Sequence, residues 1–318
     1  MKYDNYTLYG IHSKTERGLL IGYNSFIFTS SVIGDTLILI GSLRYNAIKL
    51  HKVMVTFIQH LAVVDLLLVV FTIVPVAVSL AANGWILGDI LCNLSHFANV
   101  YFSSVGFLLI SVLAVSKTLI VKFPLRAISV SSKTAQSAAC GIWLYSLVLI
   151  IVTISTGNLG QGGAYFNYLH YDCGIPGTTV FNTVYIVPVL ISTVVTMASS
   201  VMLIVMVRRI ADRRPGGLQW QGVLTVLLTV AVHTAATLPL EIFYIVPSFD
   251  GYIPLGRAAW QIAALDLVGN FYIYSLTLYS FREFLKSRMK MISAPLVRCW
   301  AGTEGERSAE EGERRRLL

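Results

Sequence analysis

Charged side chains are unusually scarce in this chain of 318 residues. Asp, Glu, Lys and Arg together make up 13% of the sequence, whereas soluble domains carry about a quarter. Hydrophobic residues make up 55%, and the mean hydropathy is +0.70. A soluble domain of this length needs more charge on its surface. The composition therefore argues against a soluble protein and indicates a membrane protein.

Cysteine is scarce as well. The four cysteines, at positions 92, 140, 173 and 299, exclude a disulfide-rich scaffold but allow one bridge. The polar residues 1–18 contain no apolar core, so the sequence predicts no cleavable signal peptide and an extracellular N-terminal tail. The first apolar segment would then act as its own insertion signal. No catalytic constellation is visible, and we expect no enzymatic activity.

Seven apolar segments follow one another along the chain. Each is close to the roughly 20 residues that an α-helix needs to cross a bilayer. Segments of this kind cross as helices because a helix satisfies its own backbone groups. The sequence therefore predicts an all-α, seven-transmembrane helix bundle, with spans near Leu19–Leu43, Met54–Ala82, Ile90–Val115, Ala138–Thr156, Thr179–Val207, Val223–Val246 and Ala258–Tyr279.

The basic residues are concentrated on one side of these segments. Of the 24 Lys and Arg residues, all but Lys2, Lys14, Arg17 and Arg257 lie in or beside the first, third and fifth links or after the seventh segment. The positive-inside rule then puts the N-terminus outside the cell and the C-terminus in the cytoplasm. The odd number of segments and the lack of two matching halves weaken the alternative of a transporter or channel.

Several short motifs occur in a fixed order within these segments. They are Gly34-Asp35, Leu61-Ala-Val-Val-Asp65-Leu66, Pro75, Trp85 and Gly88 ahead of Cys92, Pro124-Leu-Arg-Ala127, Trp143, Pro188, Pro239, Asn270-Phe-Tyr-Ile-Tyr274 and Phe281-Arg282. In this order and spacing the sequence resembles the rhodopsin-like, or class A, G-protein-coupled receptors. The resemblance extends from Gly34 to Leu285, and the chain looks like a divergent member without a known ligand.

The resemblance implies a fold, a function and partners. It implies a receptor domain over residues 19–291, with a short amphipathic eighth helix after the seventh span, and a disordered cytoplasmic tail over residues 292–318. Such receptors lie in the plasma membrane, bind an extracellular ligand and signal through a heterotrimeric G protein. The resemblance also implies a disulfide between Cys92 and Cys173, the alternative being two unrelated buried thiols. Lys117, Arg126 and Arg208 would face the G protein.

The departures from the family pattern concern the activation switch. Ser116-Lys117-Thr118 stands where the family has Asp-Arg-Tyr, and Lys117 lacks the planar fork of arginine. Thr237 and Phe271 replace a characteristic Trp and Pro, while Gln219 and Thr196 replace an acidic residue and a Tyr. Coupling of the receptor to a G protein is then expected to be weak, constitutive or absent. The alternative function is a non-coupling heptahelical protein, such as a decoy or scavenger.

Four carboxylates lie inside predicted spans, at positions 35, 65, 241 and 266. Buried acids in membranes are costly and usually face the bundle interior. Asp65 matches the family's sodium-site aspartate, and Asn270 is a plausible neighbour. Asp35 and Asp266 each replace an Asn, so three carboxyls are expected around one polar cavity. The interpretations are a site for Na⁺ as an allosteric ion, a proton site, or a structural polar network; no other cofactor is expected.

The resemblance also suggests a ligand pocket in the outer half of the bundle. Its candidate residues are Asn99, Ser103, Phe181, Tyr185, Glu241 and Trp260. Asn99 stands where amine receptors have an Asp, which argues against an ordinary monoamine ligand. Glu241 either meets a cationic ligand or extends to the outer interface. Ala264 occupies the position of the retinal-binding lysine, so an ordinary photoreceptor is not expected, and His233 is interpreted as a packed residue.

Two modification sites are expected outside the bundle. Asn5-Tyr6-Thr7 is a glycosylation sequon in the predicted extracellular tail. Cys299 follows the eighth helix and is interpreted either as a palmitoylation site or as a plain free thiol.

Overall fold

The computed structural model describes residues 14–45, 47–123, 130–153, 165–167, 172–174, 186–213, 220–245 and 253–290. Long helices make up most of this part of the chain. In chain order they are α1 Lys14–Arg44, α2 Lys52–Ala82, α3 Gly88–Lys122, α4 Ser132–Thr153, α5 Val187–Arg213, α6 Trp220–Ile245, α7 Ile253–Ala264, α8 Asp266–Thr277 and α9 Tyr279–Lys290.

Helices α1 to α6 are each long and apolar enough to cross a membrane. A seventh span comes from α7 and α8, which are separated by a break at Leu265. At Leu278 the chain turns by 98° into α9. The prediction of a seven-helix bundle followed by a short eighth helix is thus confirmed. The predicted spans were too short for α1 and α3, and the break at Leu265 was not predicted.

Proline and asparagine shape the ends and bends of two helices. In α2, a π-helical turn over Val69–Ile73 precedes Pro75. This wider turn accommodates a proline, which has no backbone N–H to donate to the preceding turn. The same helix ends at Asn83, whose left-handed φ of 59° is the conformation that commonly closes a helix. Pro239 lies inside α6, where it removes a hydrogen bond and permits a kink.

The largest apolar core lies where α2 and α3 meet α1, α6 and the seventh span. It includes Phe57, Leu61, Leu109 and Tyr274, each almost fully buried. By contrast, α4 and α5 expose large apolar side chains to their surroundings, including Leu144, Val148, Ile151, Val194 and Val201. Such exposure is costly in water and normal in lipid, so these faces are the lipid-facing sides of the bundle.

A short hairpin lies at the same end of the bundle as the start of α3. Strand β1, Tyr165–Asn167, pairs antiparallel with β2, Asp172–Gly174, so that Phe166 lies opposite Cys173. This hairpin was not predicted. Its strands are three residues each, too short for a hydropathy pattern to reveal them.

Helix α9 packs against the end of α1 through two aromatic side chains. Phe281 is fully buried, and Phe284 is nearly so. Their rings lie 6.0 Å apart, and Phe281 also meets the ring of Phe271 in α8 at 6.3 Å. Burying each ring stabilises this corner by about 1.5–3 kcal/mol. The opposite side of α9 is exposed at Arg282, Lys286 and Lys290, as expected of an amphipathic helix on a membrane surface.

Candidate functional site

A disulfide joins the N-terminal end of α3 to the hairpin at one end of the bundle. Cys92 and Cys173 are both buried and are bonded, with their Cα atoms 5.3 Å apart. A ring nitrogen of His96, one turn further along α3, lies 3.0 Å from the carbonyl oxygen of Cys173. The predicted bridge is confirmed. The hairpin is thus held to α3 by a covalent bond and a hydrogen bond.

The centre of the bundle contains the predicted pair of Asp65 and Asn270. The Asn270 side-chain amide donates a 3.0 Å hydrogen bond to Asp65 Oδ2, linking α2 to α8. Both residues are buried. A carboxylate in such a position is the natural ligand for a small hard cation such as Na⁺.

Asp35 lies on α1 and is completely buried. Its Oδ2 atom accepts a 2.6 Å hydrogen bond from the Ser31 hydroxyl, one turn earlier on the same helix. Its Oδ1 atom has no hydrogen-bond partner in the described chain. One oxygen of this carboxyl is therefore left to a water molecule, a proton or an ion.

Asp266 has a different partner from the one expected. His233 Nδ1 of α6 lies 2.7 Å from Asp266 Oδ2, at the first residue of α8. The histidine side chain is 8% exposed and that of the aspartate 23%. On its other side the His233 ring meets the Phe107 ring of α3 edge-on at 4.9 Å. His233 is therefore packed, as expected, and also bonded to Asp266, which was not expected.

The carboxyls of Asp35, Asp65 and Asp266 thus each have a different hydrogen-bond partner. These partners are Ser31, Asn270 and His233 respectively. Within the described ranges, no three His, Cys, Asp or Glu side chains are grouped closely enough to hold a metal ion together. An ion at Asp65 would therefore take its remaining ligands from amide and hydroxyl oxygens and from water.

The candidate pocket residues of the outer half fall into three separate environments. Asn99 and Ser103 lie on one face of α3, where the Ser103 hydroxyl donates to Asn99 Oδ1 at 3.4 Å. Glu241 of α6 is buried and accepts a 3.1 Å hydrogen bond from Thr193 of α5. Trp260 is buried in an apolar cluster between α1, α2 and the seventh span. Phe181 and Tyr185 lie outside the described residues.

Sequence reasoning missed a line of hydroxyl groups along α3. Ser104 bonds to Ser146 of α4 at 3.3 Å, and Ser111 bonds to Thr196 of α5 at 2.7 Å. One step further, Thr118 donates to a backbone carbonyl of α5 at 3.1 Å. The α3 residues recur at intervals of two helical turns, which places them on one face. That regular spacing is the signal that would have predicted the contact.

Ser111 is the centre of this contact. Besides Thr196, its hydroxyl meets the Ser192 hydroxyl at 2.5 Å. Buried hydroxyls in a membrane bundle find partners on the neighbouring helix, and each such bond contributes about 0.6 kcal/mol. Thr196, expected only as a lost tyrosine, is therefore part of a bond network between α3 and α5.

Lys117 lies near the C-terminal end of α3, and its side chain is buried. Its ammonium lies against the backbone of Gly222 in α6, where an added Cβ would come within 2.9 Å of Nζ. No carboxylate of the described chain forms an ion pair with it. In the described chain the contact of Lys117 with α6 therefore lacks the opposite charge that would bind the two helices together.

Of the other residues expected to face a G protein or to be modified, some lie in the described part of the chain and others lie outside it. Arg208 is exposed near the end of α5, on the same side of the bundle as the last turn of α3. Arg126, Gln219, Asn5 and Cys299 lie outside the described residues. Cys140, on α4, is the exposed free cysteine of the described part of the chain.

Comparison with known proteins assigns the family. The sequence profile of the 7 transmembrane receptor (rhodopsin family) matches residues 34–285, which is most of the chain. The chain belongs to the rhodopsin family of seven-transmembrane receptors. Receptors of this family are not enzymes, and the protein is a multi-pass membrane receptor rather than an enzyme.

The curated relatives include receptors named for a chemokine and for octopamine. The chain is 33% identical to the human C-X-C chemokine receptor type 5 over 159 residues, 49% of this chain and 39% of that receptor. It is 28% identical to the octopamine receptor beta-2R of Chilo suppressalis over 133 residues, 41% of this chain and 33% of that receptor. Melanopsin-B of Xenopus laevis matches at 32% over 119 residues, 37% of this chain and 22% of that protein.

The matched part of the chain thus spans less than half the length of each of these relatives. Two of their names record different ligands, a C-X-C chemokine and octopamine. The comparisons therefore assign the family of this receptor and no particular ligand.

Proposed function

We propose that this receptor binds an extracellular ligand at the plasma membrane and signals through a heterotrimeric G protein, with its N-terminus outside and its C-terminus in the cytoplasm. The observation that carries the proposal is the geometry of α3. One end of this helix is bonded to the hairpin through Cys92, and the other presents Lys117 to α6. A ligand bound at the first end and a partner bound at the second would therefore act on the same helices.

The outer half of the bundle supports a ligand site around Glu241. This carboxyl is buried between α5 and α6 rather than extended towards an interface, and Thr193 holds it in place. A buried carboxylate favours a ligand with a cationic group, because an uncompensated charge in this place is costly. Asn99 and Ser103 offer neutral polar atoms on α3. Glu241→Gln is expected to weaken binding of a cationic ligand while leaving the receptor folded.

An allosteric sodium ion is the second part of the proposal. Asp65 with the oxygen of the Asn270 amide forms the core of the proposed site, and the unpartnered Oδ1 atom of Asp35 lies on a neighbouring helix. The hydrogen bond between Asp266 and His233 leaves Asp266 less suited to the ion than the sequence suggested. Na⁺ would be held by Asp65 first and by neutral oxygens second.

Coupling is tested directly by nucleotide exchange. The purified full-length chain, in lipid nanodiscs, is mixed with each class of heterotrimeric G protein, and the rate of GTP-analogue uptake is compared with that of empty nanodiscs. The proposal expects faster exchange with at least one class even without ligand. Rates equal to those of empty nanodiscs for every class would contradict signalling through G proteins.

A non-coupling receptor is the second candidate, and two observations favour it. Lys117 is buried beside α6 without an acidic partner, and the hydroxyls of Ser111, Ser192 and Thr196 bind α3 to α5 where the family usually has a tyrosine. Such a protein would still bind ligand. The candidate predicts ligands that raise the melting temperature of the receptor while no G protein responds.

A further inference from the structure

Two arginines share one aromatic ring where α1 meets α9. The guanidinium of Arg288 lies 3.8 Å from the ring centroid of Tyr45, and that of Arg44 lies 5.8 Å from the same centroid. Phe284 completes the group, 5.4 Å from Tyr45 by ring centroids. We call Arg44, Tyr45, Phe284 and Arg288 the arginine patch.

Like charges held this close repel each other unless an anion joins them. Because both guanidinium groups lie on one ring, their charges are separated by no more than about 10 Å, roughly one screening length in physiological salt. The Nε atom of Arg288 is buried and has no hydrogen-bond partner in the described chain. The cation–π contacts hold the two cations in place without neutralising either of them.

Acidic side chains near the patch are almost absent from the sequence. The chain between Leu43 and Lys52 adds Lys49 and Lys52 and contains no Asp or Glu, while α9 adds Arg282, Lys286 and Lys290. The one acidic residue of α9, Glu283, forms an ion pair with Lys286 at 2.9 Å. The region around the patch is therefore strongly positive. The ion pair between Glu283 and Lys286 involves neither arginine of the patch.

The position of the patch indicates what reaches it. Helix α9 turns away from the seventh span by 98°, so it lies along the membrane surface rather than across the membrane. Leu43, Leu276 and Met289 are each at least 69% exposed around it, which places this corner at the boundary between lipid tails and head groups. A ligand of the patch is then most readily a component of the bilayer itself.

We propose that the arginine patch binds the phosphorylated head group of an anionic lipid in the cytoplasmic leaflet. Guanidinium groups bind phosphate oxygens through two parallel hydrogen bonds, which a lysine ammonium does not provide. Basic groups between transmembrane helices on the cytoplasmic side are a known means of holding such head groups. The inference rests on the proposed orientation of the receptor and does not depend on G-protein coupling.

The experiment uses the full chain in nanodiscs and measures the melting temperature of the receptor. Phosphatidylcholine discs are compared with discs that also contain phosphatidylinositol bisphosphate, and with discs in which phosphatidylserine supplies the same total charge. The proposal expects a higher melting temperature with the bisphosphate lipid than with the serine lipid at equal charge. Soluble inositol trisphosphate, added to neutral discs, tests whether the head group alone suffices.

Substitutions separate a built site from general attraction. Removing one arginine is expected to weaken lipid binding about fivefold, and the pair Arg44→Gln and Arg288→Gln about 25-fold. The matched control, Arg208→Gln with Arg209→Gln, removes the same charge from α5 and should change binding less than twofold. Arg288→Lys keeps the charge but loses the fork, and Tyr45→Leu keeps both charges but removes the ring. Both should bind weakly, whereas Tyr45→Phe should bind normally.

Three outcomes would overturn the proposal. The first is an equal loss of binding in the α5 control, and the second is an equal rise in melting temperature with both lipids at matched charge. The third is a response to a peptide of residues 304–313, which contains five glutamates, with none to the bisphosphate lipid. That result would assign the patch to the chain's own C-terminal segment. A failure of nucleotide exchange, by contrast, would leave the lipid result unaffected.

Discussion

His233 of α6 and Asp266 of α8 form a hydrogen bond of 2.7 Å in the middle of the membrane-spanning bundle. The pair joins the sixth span to the seventh. Because one oxygen of Asp266 is engaged in this bond, Asp65 is the stronger candidate to bind the proposed sodium ion. The ring of Phe107 supports His233 from α3, so three helices meet at this contact.

The first prediction concerns this pair. Asp266→Ala and His233→Ala should each lower the melting temperature, because each leaves a polar partner without its bond. The double variant should lose little more than either single variant. Comparable pairs in membrane bundles have coupling energies of about 0.6 kcal/mol, with a maximum near 1.7.

The exposed pair of Glu283 and Lys286 on α9 is the control for this cycle. Its coupling energy should be close to zero, since water screens both charges. Thermal unfolding of all the variants in the same detergent provides the comparison. Purely additive effects of His233→Ala and Asp266→Ala would show that the two side chains do not stabilise each other.

A second prediction concerns the disulfide between Cys92 and Cys173. Replacing Cys92 and Cys173 by alanine should destabilise the receptor by about 2–4 kcal/mol, because the bridge closes a loop in the unfolded chain. The control is Cys140→Ala, which removes an exposed thiol and should change stability by less than about 0.5 kcal/mol. Melting curves with and without reductant measure the effect. Wild-type curves that coincide under both conditions would contradict it.

A third prediction concerns sodium. The wild-type receptor should melt at a higher temperature in sodium chloride than in the chloride of a large organic cation at equal ionic strength. Asp65→Asn should abolish this difference, because it removes the charge that holds the ion. Asp266→Asn should preserve most of it, because Asp266 is bonded to His233. A sodium effect that survives Asp65→Asn would place the ion elsewhere.

A fourth prediction concerns the close approach of α1 and α8. At Gly34 an added Cβ would lie 2.6 Å from the Cβ atom of Phe271, so Gly34→Ala forces the helices apart. The expected loss of stability is about 1–3 kcal/mol. Gly141→Ala on α4 is the matched control, because no atom lies within 4 Å of its added Cβ. It should be neutral or slightly stabilising. Equal melting temperatures for the two variants would refute the close contact.

The spans, the family and the disulfide could be predicted because they follow from features that are local in sequence. A run of apolar residues is enough to indicate a membrane helix. The order and spacing of short motifs indicated the family, and the family resemblance implied the disulfide between Cys92 and Cys173. The predicted start of α1 was too late and the predicted end of α3 was too early, because Lys14 and Lys122 at these ends are charged. Charged residues at helix ends extend towards the interface, so hydropathy alone does not mark where a helix begins or ends.

The partners inside the bundle were harder to predict. The bond between His233 and Asp266 depends on how α6 and α8 are rotated about their axes, which hydropathy does not encode. The bonds of Ser111 depend likewise on the rotation of α3 against α5. Only the regular spacing of the hydroxyl groups on α3 can be recognised in the sequence. The pairing of Asp65 with Asn270 was predicted because the family motifs place both residues at one level.

We propose that this chain is a signalling receptor whose contacts between α3 and α6 differ from those of its family. Nucleotide exchange by the wild type and by the double variant Ser116→Asp with Lys117→Arg, on the same panel of G proteins, tests it most directly. The account predicts faster exchange for the double variant with the G protein that responds to the wild type, because an arginine fork and an acidic neighbour are restored. An absence of exchange by both proteins, despite equal folding and ligand binding, would contradict the account.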